Sequence, residues 1–80
     1  MPEFKFEIVK EIGVVSEGYR GWRKEFNLVS FSGYKAKYDL RDWSEDHQQM
    51  RKGITLTEEE LRTLKTLIDA EIEELDRNQE

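Results

Sequence analysis

Lys35, Lys37, Arg41 and Trp43 share one parity of a stretch that alternates like a β-strand, with Ala36, Tyr38 and Leu40 on the other. If the apolar parity faces a core, the cations and the tryptophan point outward together, because successive strand residues project from opposite faces. Tyr34 adds an aromatic ring just before them. Trp22, Arg23 and Lys24 repeat the mixture upstream, and Arg51 and Lys52 follow downstream. Lysine and arginine neutralise phosphates while aromatic faces stack on unpaired bases, so this interleaving suits single-stranded nucleic acid. A duplex hides those faces. The same pattern also suits an ordinary solvated strand, since surface cations discourage edge pairing. On that reading Asp39 is a ready ionic partner for Arg41 or for a lysine, and Trp22 or Trp43 belongs to the margin of a core.

Other chemistry has little support. Asp46-His47, beside Glu45, is the only hint of general acid–base catalysis, and it falls in a polar, aperiodic stretch. Ser16, Ser30, Ser32 and Ser44 have no nucleophile-elbow context, and no glycine-rich phosphate loop of the required spacing exists. An enzyme is not expected. There is no cysteine and a single histidine, so thiolate sites and disulfides are excluded, and His47 needs several carboxylates around it to hold a metal. The expectation is no metal and no cofactor.

The elements that must position the cations are legible. Phe4, Phe6, Ile8, Ile12 and Val14 alternate with Lys5, Glu7 and Glu11, which predicts a first strand. Ser16 to Gly21 reads as a turn with two glycines able to take positive φ. A second strand runs from about Trp22 to Ser32. It changes its apolar face midway, as a strand with a bulge does. Ser32-Gly33 makes the next turn, Lys35 to Trp43 the third strand, Ser44 to Arg51 a loop, and Gly53 to Leu56 a short final strand. Thr57 and Glu60 form a capping box, with Glu58 and Glu59 where the helix dipole favours negative charge. Leu61, Leu64, Leu67, Ile68, Ile72 and Leu75 then recur at helical spacing to about Asp76. The expected fold class is α+β: a four-stranded antiparallel sheet over about residues 4–56, then one C-terminal helix over about 58–76, in a single domain.

Eighty residues bury only roughly 60% of the surface of the unfolded chain. With disulfides and metal set aside, a second chain is the remaining source of stability. A helix of roughly 28 Å is long for so small a sheet. Leu64, Ile68, Ile72 and Leu75 are therefore expected at a homodimer interface, although the stripe would also serve to cover the chain's own sheet. Charge is asymmetric. Residues 57–80 carry nine acids and three bases, a net of −6, so residues 1–56 sum to +1 within a total of −5. The overall acidity lies in the helix and leaves the sheet free to bind an anion. No signal peptide and no membrane span are expected, which makes the cytoplasm the default location (the nucleoid, in a bacterium).

Tyr38-Asp39-Leu40-Arg41-Asp42-Trp43, a loop, Arg51-Lys52-Gly53-Ile54-Thr55-Leu56 and the capped helix with its Leu64-Lys65 pair together resemble the positive cofactor four family of transcriptional coactivators. The resemblance covers roughly residues 31–72. It implies a homodimer paired through helices and sheet edges, with two β-ridges that hold single-stranded DNA with little sequence preference. It also implies that Tyr34 stacks on a base, that Lys35 and Lys37 meet phosphates, that Arg41 and Trp43 lie on the ridge, and that Lys52 is a basic residue before the last strand. With Trp22 and Lys24 from the neighbouring strand, these are the expected nucleic-acid-binding residues. RNA would answer to the same chemistry, and the transcription or repair machinery would be the protein partner. The turn before the third strand and the loop after it are shorter than in the eukaryotic members. A single aromatic stands where two are frequent, and the serine-rich regulatory region is missing. Bare strand binding is accordingly a closer expectation than coactivation, and the compact form looks like the small bacterial members. The competing expectation is a protein-interaction module that uses the acidic helix and a sheet edge without nucleic acid.

Overall fold

A computed structural model describes residues 5–79; Phe4, placed above on the first strand, lies outside them. The chain forms β1 (Phe6–Glu17), β2 (Arg23–Phe31), β3 (Lys37–Trp43), β4 (Ile54–Leu56) and α1 (Glu58–Asn78). The four strands make one antiparallel meander in sequence order. This is the expected four-stranded sheet followed by one helix. No helix among the described residues is long and apolar enough to cross a membrane.

Local chemistry explains the turns. Between β2 and β3, Ser32 and Gly33 both take positive φ (52° and 78°), as a type I′ hairpin turn requires. The turn is closed by the Tyr34 amide donating to the Phe31 carbonyl at 2.9 Å. Between β1 and β2 the positive angles fall on Arg20 and Gly21 rather than on both glycines, because Gly18 stays extended. Gly53 precedes β4 for a steric reason: a Cβ there would overlap the Arg41 Cβ and the Leu40 carbonyl oxygen.

The irregularity expected in β2 sits in β1 instead. Twelve residues of β1 face nine of β2, and the register slips at Ile8/Lys10, Glu11/Gly13 and Val14/Ser16. Each slip leaves one extra residue on β1, namely Val9, Ile12 and Val15, and all three are exposed. Three bulges along one strand bend the ribbon strongly. The bend shows in the packing. Phe6 is registered with Phe31 and Trp43 with Arg23, eight positions apart on β2, or about 27 Å in a flat sheet. Yet the Phe6 and Trp43 rings lie 5.0 Å apart. The sheet curls until its ends meet.

The curl reverses the face assignment made from alternation. Odd-numbered residues of β2 and β3 line the inner face, where Glu25, Asn27, Val29, Asp39 and Trp43 are all buried. The other face carries Phe26, Leu28, Tyr38, Leu40, Ile54 and Leu56 in paired rows, with Phe26 stacked on Tyr38 at 5.9 Å. Within the single chain that apolar face stays half-buried or exposed. Polar groups occupy the interior because they satisfy one another there: Arg41 binds both oxygens of Asp39, and Asn27 donates to Glu25 at 3.1 Å.

Helix α1 starts where its capping box places it. The Glu60 amide donates to the Thr57 hydroxyl at 3.1 Å, and the Thr57 amide donates to the Glu60 carboxylate at 2.9 Å. Three ion pairs at i,i+4 (Glu58–Arg62, Lys65–Asp69, Glu73–Arg77) lace its exposed side. Only Leu61 and Leu64 are half-buried against the sheet margin, while Leu67, Ile68, Ile72 and Leu75 remain exposed.

Candidate nucleic-acid interface

Two groups of cations and aromatics lie at opposite ends of β2 and β3. At the β1–β2 end, the Arg51 guanidinium sits 4.5 Å from the centre of the half-buried Trp22 ring, a favourable cation–π distance. Arg51 is held there by its own backbone, whose amide donates to the Asp42 carbonyl at 3.0 Å just beyond the Trp43–Met50 bridge. Trp22, Lys24, Arg20 and Arg51 border one pocket of about 280 Å³, with Tyr19 at its rim and Asp42 as its acid. That volume lies just below the range for small-molecule pockets, and suits one base or phosphate of a longer strand. Lys52 follows Arg51 and is exposed.

At the other end, Tyr34 is 77% exposed beside the type I′ turn. Its carbonyl accepts a 2.6 Å bond from the Ser30 hydroxyl, which fixes the turn while leaving the ring free to stack. Lys35 and Lys37 are exposed beside it. Among the described residues none of Arg20, Lys24, Lys35, Lys37, Arg51 or Lys52 takes part in an ion pair, whereas every cation of α1 is paired with an acid of α1. The charge asymmetry seen along the sequence is therefore also spatial. The helix neutralises its own cations, and those of the sheet's ends stay available to an anion.

Two expected site residues are placed differently. Trp43 was expected on the exposed face with the lysines, but it is 0% exposed, enclosed by Phe6 and by the His47 ring at 5.6 Å. Its face is covered by the curl. Arg41 shares that inner face. Its guanidinium is committed to Asp39 at 2.6 Å and packs over Phe31 at 4.8 Å, so it braces the inner face of the sheet. Conversely, Arg20 and Tyr19 were missed, and Arg51 was not singled out. The interleaved Tyr19-Arg20-Gly21-Trp22 run carried the signal, but in a turn rather than on a strand, where parity says nothing.

The Ser44–Arg51 loop is ordered by its own polar groups. The Ser44 hydroxyl donates to Asp46 at 2.8 Å and accepts from the Gln49 amide at 2.9 Å. The Gln48 amide donates to Asp46 at 3.0 Å. That bond, with the Ser44 bond, holds the Asp46 carboxyl below its ordinary value. His47, at φ 59°, turns inward to Glu25 at 2.9 Å. Burial raises the Glu25 carboxyl. Hydrogen bonds from His47 and Asn27, with the charges of His47 and Arg23, outweigh it and hold the group below the usual carboxylate range. Glu25 is thus a buried anion at neutral pH that fastens this loop to β2. Asp46 and His47 both order the loop in this arrangement, Asp46 through Ser44 and Gln48 and His47 through Glu25.

A family model described as Transcriptional Coactivator p15 (PC4) matches residues 19–67, which span both cation clusters, the loop and the start of α1. A bacterial protein described as uncharacterized, from Treponema pallidum (strain Nichols), is 37% identical over 68 residues, covering 85% of this chain and 80% of its own length.

Proposed function

Because the chain belongs to the transcriptional coactivator p15 (PC4) family, a non-enzymatic family that binds single-stranded DNA and acts in transcription coactivation, we propose that it is a homodimeric single-stranded DNA-binding protein with little sequence preference. The observation that carries this reading is the set of cations outside any ion pair that flank aromatic rings, the half-buried Trp22 under Arg51 at one end of the sheet and the exposed Tyr34 with Lys35 and Lys37 at the other. A strand running between them would meet phosphate ligands along its length and stacking faces at intervals. Stacking on rings and charge on phosphates tolerate any base, so a weak sequence preference is expected. Arg41 acts by bracing the ridge. Lys24 and Lys52 extend the positive track, and transcription, replication and repair are the processes that expose such a ligand.

Titration of oligo-dT, with a matched duplex alongside, at two salt concentrations tests the reading. Affinity for the single strand is expected to fall with a log–log salt slope of roughly −0.7 per phosphate contact. Trp22→Ala is expected to weaken binding by about 1–3 kcal/mol, and Lys35→Ala to reduce the slope by about one contact. Absence of binding at low salt would favour instead a protein-interaction module built on the open groove of Ile54, Leu56, Leu64 and Leu67 between β4 and α1, and equal affinity for the duplex would remove the preference for single strands.

What the single chain leaves uncovered supports the dimer reading. Phe26, Leu28, Tyr38 and Leu40 form a contiguous half-buried face, and Leu67, Ile68, Ile72 and Leu75 are exposed on the adjoining helix. Continuous apolar surface of this kind marks an association site, and a helix face of a second copy fits both parts. Leu64 contributes at the groove, where it already meets its own β4. Ile68→Glu is expected to convert the dimer to monomer in sedimentation and to abolish the concentration dependence of Tm. An unaltered dimer in Ile68→Glu and Leu75→Glu would remove α1 from the interface.

A further inference from the structure

We propose that Glu11, Glu25 and His47 form a binding site for a divalent transition-metal cation of the Zn2+ class, clipping the edge strand β1 to β2 and to the β3–β4 loop. The three residues come from three separate elements, and one ligand atom from each (two carboxylate oxygens and an imidazole nitrogen) lies within 4.8 Å of the others. The single histidine gave no expectation of a metal, because a lone imidazole is an insufficient ligand set. The fold supplies the carboxylates. Glu11 is registered opposite Asn27, whose side chain donates to Glu25, so Glu11 projects on the same inner side as Glu25.

Charge and geometry both favour a cation there. Glu25 is 3% exposed and receives Arg23 at 3.2 Å on one oxygen. Glu11 has no ion-pair partner among the described residues. Arg23 pairs with Glu25 and no cation pairs with Glu11, so a divalent ion held by both carboxylates and the His47 imidazole would balance the second negative charge. Zn2+ accepts this mixed nitrogen and oxygen set at about 2.0–2.2 Å, with ligand atoms roughly 3.5 Å apart. His47 Nε2 and the Glu25 oxygens, at 2.9 and 3.1 Å, are already near that spacing. Glu11, exposed and free to change rotamer, has to close by about an ångström. The outer contacts are those of a supported site: Asn27 orients Glu25, and Trp43 packs on the His47 ring. With three protein ligands and an exposed Glu11, solvent completes the coordination.

The test uses the full chain without an affinity tag and does not depend on nucleic-acid binding. Titration with Co2+, followed by visible absorption, is expected to saturate at one ion per chain and to be reversed by Zn2+. Zn2+ is expected to raise the Tm of the wild-type protein. Glu11→Gln, at an exposed position of an edge strand, should keep the metal-free Tm and weaken binding by at least about tenfold; His47→Gln should abolish the visible bands. Absence of saturable binding below millimolar Co2+ would overturn the proposal. So would equal binding by the wild type and both variants, which would place the ion on the acids of α1.

Discussion

Trp43→Ala is expected to unfold the protein rather than to weaken a nucleic-acid contact. The indole is wholly enclosed, between Phe6 and His47, at the point where the curled ends of the sheet meet. Truncating a buried aromatic of this size costs about 3–5 kcal/mol, against a total of about 5–15 kcal/mol for a whole domain. Urea denaturation measures it directly. Trp43→Phe separates packing from recognition. The buried indole nitrogen has no hydrogen-bond partner among the described residues, so phenylalanine keeps most of the apolar contact and loses no bond. The Phe variant should fold with a cost well below that of Ala and retain single-strand affinity. A folded Trp43→Phe that binds tenfold more weakly would return Trp43 to the ridge and mean that the curl opens on binding.

Asp39→Ala is the second large effect, and it acts through charge. Asp39 is 0% exposed and its carboxylate takes three bonds from Arg41, whose side chain is 12% exposed. Removing the acid leaves a guanidinium in a mostly enclosed site beside Phe31 without its anion. Breaking a buried pair from one side costs about 3–5 kcal/mol. Replacing both partners is milder, because no unpaired charge remains. The expected result is a low or absent urea midpoint for Asp39→Ala and a partial recovery in Asp39→Ala/Arg41→Met, read as a coupling energy in a double-mutant cycle. Equal stability of Asp39→Ala and the wild type would show that the pair is solvated and that the inner face is open to water.

The two variants bear on function because the braced inner face presents the outer clusters. Arg41 precedes Asp42, whose carbonyl positions Arg51 over Trp22. Loss of the Asp39–Arg41 pair is therefore expected to lower single-strand binding in step with stability, whereas Trp22→Ala and Lys35→Ala should lower binding alone. That contrast would separate residues that act through the fold from residues proposed to touch the ligand.

Local sequence determined the parts of this protein that depend on neighbours in the chain. Thr57 and Glu60 set the start of α1, because a capping box is complete within four residues. Ser32-Gly33 set the β2–β3 turn, and the separation of an acidic helix from a sheet with free cations is written in the order of the residues. The motifs from Tyr38 to Leu56 carried the family resemblance. Tertiary structure alone decided which parity of β3 faces inward. Alternation marks two faces but does not say which is enclosed, and three bulges in β1 curl the sheet over its polar side, so that Asp39, Arg41 and Trp43 go inside together. The same curl brings Glu11, Glu25 and His47 to one point and Arg51 to Trp22. These contacts join residues far apart in the chain, and no local spacing encodes them.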